Sequence, residues 1–223
     1  MVFLNNEKII FLKARKVAGT SFEIALSRFA KAEDIITPIS PNDERLREEL
    51  GFASCQNYLD QNGNQIFKNH ISASEAKKKL GCTIWNEVEK CSIVRNPFDV
   101  YISLFYYQNG SAADISKLTE WYFDGKGSSY LGINHQQYFV KDKMIIDRFV
   151  RYENFEEDIQ KLEEAVPALK GLYSIFSNIK AKSGIRSNAS YDLDAIYYNH
   201  PELKDKIRSL HSFEIAKFGY HAL

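Results

Sequence analysis

Two kinds of hydrophobic pattern recur along this chain: short unbroken apolar runs, and apolar positions spaced at the helical period. Ile9, Ile10, Phe11 and Leu12 form one run, suited to a buried strand and too short for a membrane span. A small-residue stretch then leads into Thr20 and Glu23, a TxxE capping box, after which Phe22, Ala25, Leu26 and Phe29 fall at i, i+3, i+4 and i+7. The same succession returns at Cys91–Val94, a short apolar strand. Asn96 can cap the next helix, Pro97 takes the first helical position where its missing N–H costs nothing, and Phe98, Tyr101, Ile102 and Phe105 form the buried stripe. Ser72 and Glu75 make a second capping box for a helix that runs to Leu80 and stops at Gly81. Met144 to Tyr152 is an apolar run ending in a strand, and Phe155, Ile159, Leu162 and Val166 continue as a helix halted by Pro167. Pro201 opens a final helix with Leu203, Ile207 and Leu210 inward.

Strands alternating with helices predict an α/β fold: a mostly parallel central sheet flanked by helices, with ligands at the carboxyl ends of the strands. The segments 35–68 and 108–143 are less regular, and a binding pocket built from loops is expected there. Neither repeats nor a linker interrupt the chain, so residues 1–223 are expected to form a single domain.

Two of the strand-turn-helix junctions carry chemistry. In Lys16-Val17-Ala18-Gly19-Thr20-Ser21 the small residues let the backbone approach a ligand, the first N–H groups of the helix face it, and Lys16 adds a point charge. That is the make-up of an anion cradle. A Walker loop places its lysine after the second glycine and next to the hydroxyl residue, whereas Lys16 precedes Gly19 by three positions. At the second junction, the forked side chain of Arg95 can reach a phosphate that the Ser103 hydroxyl also touches; the alternative is an Arg95 salt bridge to a carboxylate.

The loop from Lys16 to Ser21 resembles the 5′-phosphosulfate loop of sulfotransferases that use 3′-phosphoadenosine 5′-phosphosulfate (PAPS). Arg95, Asn96, Pro97 and Ser103, in that spacing, are similar to the 3′-phosphate site of the same enzymes. Lys68-Asn69-His70-Ile71-Ser72-Ala73 looks like their His-Ile/Met-Ser-Ala segment, Arg151-Tyr152-Glu153-Asn154-Phe155 like their RYEN junction, and Phe218-Gly219-Tyr220 like their C-terminal FGY. The resemblance spans Ile9 to Tyr220 and departs at Arg15, where the family carries proline before the lysine.

It implies a P-loop-like three-layer sandwich and a PAPS-dependent sulfotransferase, with adenosine 3′,5′-bisphosphate (PAP) as product and no metal. The acceptor implied is a hydroxyl, on a carbohydrate or another small molecule. Lys16 and His70 would be catalytic, as leaving-group stabiliser and base. The donor would be bound by Lys16, Val17, Ala18, Gly19, Thr20, Ser21, Arg95, Ser103, Tyr152 and Arg186. Gln136 and Gln137 resemble a glutamine of the acceptor region. Plainer roles stay open beside these: His70 packed under the Ser72 helix, Tyr152 as core, Arg186 as a solvated charge. The competing functions are a P-loop-type small-molecule or nucleotide kinase and a non-catalytic nucleotide- or glycan-binding module.

Composition narrows the partners. Lys plus Arg and Asp plus Glu number 29 each, so there is no general charge to attract nucleic acid and any basic site is local. Three cysteines, Cys55, Cys82 and Cys91, have neither metal-ligand spacing nor an even count and read as reduced thiols. With no apolar stretch near ~20 residues and no signal peptide, the expectation is a cytoplasmic protein without a membrane span.

Overall fold

A computed structural model describes residues 1–179 and 192–221. In chain order its strands are β1 (Val2–Leu4), β2 (Ile9–Phe11), β3 (Ile35–Ile36), β4 (Glu89–Val94), β5 (Phe139–Val140), β6 (Lys143–Met144) and β7 (Arg148–Arg151). The helices are α1 (Gly19–Ser27), α2 (Pro41–Glu49), α3 (Ala73–Leu80), α4 (Cys82–Glu87), α5 (Pro97–Asn109), α6 (Leu118–Phe123), α7 (His135–Tyr138), α8 (Phe155–Ala165), α9 (Leu172–Ser177), α10 (Leu193–Tyr198), α11 (Pro201–Leu210) and α12 (Ser212–Phe218).

The main sheet has the order β3-β1-β2-β4-β7. Only β2–β4 and β4–β7 pair in parallel; β1–β2 and β1–β3 are antiparallel, and β5–β6 form a separate hairpin. The expected P-loop-like sandwich with a mostly parallel sheet is therefore corrected to an α/β fold with a five-stranded mixed sheet. Chain length between strands is the cause. Between Leu4 and Ile9 lie four residues closed by Lys8 N–H donating to Asn5 O at 3.2 Å, and so short a link makes a hairpin, whereas a parallel return needs a crossover of a dozen or more. Among the described residues after β7 every regular element is a helix, and none adds a further parallel strand to the sheet.

Phe11 lies opposite Cys91 and Val94 opposite Arg151, so β2, β4 and β7 end at one edge of the sheet.

By Cα packing the chain divides into two compact units, Met1–Val94 with Asn134–Ala181, and Arg95–Ile133 with Lys182–Leu223. The first holds the sheet. There α8 packs along β7, and α1 meets β1, α2 and α9. Every residue of α1 is buried, Glu23 included, so this helix is enclosed rather than one-sided. The expected Thr20–Glu23 capping box does not form: Ala18 is the N-cap without a side-chain hydrogen bond, and Glu23 turns inward instead. The box at Ser72 holds in its first half, Ser72 Oγ accepting from Glu75 N–H at 3.2 Å.

In the second unit α5 is the centre. Asn96 Oδ1 caps it through Phe98 N–H, and Phe98, Tyr101, Ile102 and Phe105 are buried as the stripe predicts. Tyr197 Oη donates to Phe98 O and Tyr122 Oη to Tyr101 O, both at 2.8 Å, while Leu203 and Ile207 of α11 are fully buried. One more helix, α12, follows α11. Among the described residues no helix is long and apolar enough to cross a membrane.

Candidate functional site

From the end of β2 the chain enters a loop whose backbone is unusual for its residues. Lys16 has φ +62° and Ala18 φ +59°, both left-handed without being glycine. Each such residue costs about 1–2 kcal/mol and persists only where its surroundings hold it. Ala18 in this conformation followed by helical Gly19 has the paired left- and right-handed dihedrals from which anion-binding nests are built. The N–H groups of Gly19, Thr20 and Ser21 have no carbonyl of α1 to bond, and its first turn contains no acidic side chain to neutralise the dipole. Val17, Thr20 and Ser21 are buried, Ala18 is exposed and Lys16 is half-buried.

Gly19 has a different purpose from the one its type suggests. A Cβ there would lie 2.9 Å from Lys13 Cγ, so the missing side chain admits Lys13 rather than a ligand. Lys13 is 2% exposed and its Nζ donates to Glu23 Oε2 at 2.6 Å; the Met1 amine meets Glu23 Oε1. Burial alone would push the Glu23 carboxyl up, but the Lys13 ammonium and the Met1 amine outweigh it and hold it down at about 2.

The loop is gripped from several sides. Ser92 Oγ donates to Leu12 O at 2.6 Å, and His70 Nδ1 lies 3.1 Å from Lys13 O. Asn134 Oδ1 accepts from Arg15 N–H at 2.7 Å while its Nδ2 donates to Arg15 O at 3.1 Å. A carbonyl only accepts, so the His70 ring proton sits on Nδ1 and Nε2 keeps its lone pair, the tautomer a general base needs. His70 is itself left-handed, φ +56°, and Gln137 Nε2 donates to its carbonyl at 3.0 Å. Neighbouring Asn69 has a buried Oδ1 without a partner.

Burial, with the positive charges of Lys13 and Arg15, lowers His70 from 6.5 to about 3. The neutral ring is thus the form the fold favours. Its contribution to stability is complete above about pH 6.5 and is lost as the pH falls toward 3. The His70 imidazole NMR signals are accordingly expected to stay flat between about pH 5 and 8. A midpoint near 6.5 would place the ring in solvent.

Lys16, the loop from Val17 to Ser21 and His70 all belong to the first unit, where His70 is bonded to the start of that loop at Lys13 O. Tyr152 belongs to the same unit, half-buried just past β7 with its ring 5.3 Å from that of Phe155. Arg95 and Ser103 belong to the second unit, both buried. Arg95 Nε donates to Asp99 Oδ2 at 2.7 Å and its Nη2 meets the same oxygen, which is the carboxylate salt bridge. Arg186 lies outside the described residues. Gln136 is exposed, whereas Gln137 is 1% exposed and is the one bonded to the His70 carbonyl. Lys13, Asn69 and Asn134 are residues to which sequence pattern assigned no role, and Glu23 one to which it assigned only a cap; Asn134 alone offered a local signal, as a residue type that tolerates the left-handed φ of +75° found there. Among the described residues no group of His, Cys, Asp and Glu could hold a metal ion.

Compared with protein-family models, curated proteins and solved structures, the chain matches none. Its chemistry is therefore argued from its own residues.

Proposed function

We propose that this chain is a sulfotransferase that takes its sulfuryl group from PAPS and delivers it to a hydroxyl acceptor, a carbohydrate being the class the sequence resemblance favours. One observation carries the reading: a strained, side-chain-clamped loop opens onto a helix N-terminus with Lys16 at its centre, and a neutral histidine with its basic nitrogen unspent is bonded to that same loop. Such a cradle fits the doubly charged 5′ end of the donor.

PAPS supplies the sulfuryl group when bound. The first-turn N–H groups of α1 hold the 5′-phosphate, and Lys16 offsets the charge that arrives on the oxygen bridging sulfur and phosphate. His70 Nε2 takes the acceptor's proton as the acceptor oxygen bonds to sulfur and the sulfur–bridging-oxygen bond breaks, releasing adenosine 3′,5′-bisphosphate. A bound anion also raises the basicity of His70, which the cations Lys13 and Arg15 suppress. Arg95 and Ser103 are proposed for the 3′-phosphate on their sequence motif alone; Arg95 is paired with Asp99.

The test is thermal. Adenosine 3′,5′-bisphosphate at about 100 times its Kd should stabilise by about 2.7 kcal/mol, and AMP, which lacks the 3′-phosphate, by much less. Equal shifts would remove Arg95 and Ser103 from the site; no shift from either would sink the reading.

A non-catalytic nucleotide-binding module is the second reading, and the low basicity of His70 favours it, because a base at about 3 is weak at neutral pH. Turnover of labelled PAPS against a panel of sugars separates the two.

A further inference from the structure

The Arg15 side chain is exposed, and it is the backbone of this residue that is held in place. Both polar groups of that backbone are taken by one carboxamide, that of Asn134, which is 6% exposed and 119 residues away along the chain. A carbonyl and the following N–H are the two ends of one rigid, planar peptide. Fixing Arg15 O therefore fixes the direction in which Lys16 N–H points, at the residue where the left-handed turn begins. Three positions beyond Asn134, Gln137 holds the carbonyl of another left-handed residue of the site, His70. Both supports come from α7 and its N-cap.

We infer that Asn134 and Gln137 are positioning residues that hold the Lys16 loop and His70 in fixed register through one shared support, α7. The inference rests on the anion-loop reading for its purpose but not for its geometry. It also assigns a reason to Arg15: the clamp needs an N–H at that position, and proline, the residue of the loops this one resembles, has none. Proline at 15 would leave Asn134 Oδ1 buried and unsatisfied.

The decisive variant is Asn134→Gly, which keeps the left-handed backbone while deleting the clamp. Amide hydrogen exchange over residues 13–19, measured without ligand, should speed up about tenfold or more, two hydrogen bonds having been lost. Arg15→Pro should do the same at the remaining amides, whereas Arg15→Ala, which keeps the N–H, should exchange at the parent rate. Because proline substitution leaves α7 untouched, the Arg15 pair decides the matter if Asn134→Gly fails to fold. Gln137→Leu should raise the His70 imidazole midpoint from about 3 toward 6.5 as the ring loosens into water, a spectroscopic change that loss of global stability alone does not produce.

With adenosine 3′,5′-bisphosphate as probe, Asn134→Gly and Arg15→Pro should each bind about tenfold more weakly than the parent, by loss of preorganisation. Unaltered exchange in both would overturn the clamp, whatever the ligand result. Loosened exchange with parental affinity would overturn its positioning role. A parent protein that binds no bisphosphate would overturn the sulfotransferase reading instead, and the exchange measurements would still decide the geometry.

Discussion

On the proposed sulfotransferase reading, Lys16→Ala should cut sulfuryl transfer about 10²–10³-fold while leaving the protein folded, the loss expected when one preorganised group facing developing charge is deleted. The residue is half-buried in the middle of the loop, at φ +62°. Alanine bears the same left-handed penalty as lysine, so the substitution removes charge without adding backbone strain. Lys16→Arg keeps the charge on a planar fork of different reach and should recover only part of the rate. Both are read by single-turnover transfer from labelled PAPS, with adenosine 3′,5′-bisphosphate binding measured alongside. A rate loss confined to kcat marks Lys16 as acting on the leaving group; parental turnover would take it out of the mechanism altogether.

The local pieces of this fold were legible because their signals are local. Ser72, Asn96, Pro97 and Pro201 punctuate helices where their chemistry says they should, and the runs Ile9–Leu12 and Cys91–Val94 are strands with short loops at their carboxyl ends. What escaped was the partnering. Met1 to Leu4 is an apolar run as plain as the next one, and its four-residue separation from Ile9 is hairpin spacing; reading both runs together gives the antiparallel pair that makes the sheet mixed. The capping box at Thr20 had the right residues, yet Glu23 was claimed by Lys13, a bond no spacing rule foresees at ten residues' distance. Asn134 and Gln137 grip segments 119 and 67 residues away, and only tertiary packing could single them out; burial likewise separates Gln137 from its exposed neighbour Gln136.

Glu23 carries the second large effect, on stability. Its carboxylate is fully buried between Lys13 Nζ and the Met1 amine, and replacing it by alanine strands the Lys13 ammonium in a closed interior and leaves the Met1 amine, which burial already lowers to about 6, without its acceptor. Breaking such a pair by removing one partner costs about 3–5 kcal/mol, which for a chain of this size lowers Tm by about 6–20 °C. Replacing Glu23 and Lys13 together, as Glu23→Leu with Lys13→Met, should cost less than Glu23→Ala alone, because charge and counter-charge leave as a pair; the Met1 amine keeps the double variant below the parent. Acid unfolding gives an independent check. With a folded-state value of about 2 against the ordinary 4.5, Glu23 stabilises the protein fully above pH 4.5, and that contribution drains away as the pH falls toward 2. Circular dichroism melts from neutral to acid pH should therefore slope steeply below 4.5 in the parent and less so in the double variant. Identical slopes would mean that another carboxylate governs the acid limb. Because the Lys13 carbonyl is the acceptor for His70, the same variants should also shift the His70 titration, tying the stability of the buried ion pair to the chemistry of the loop above it.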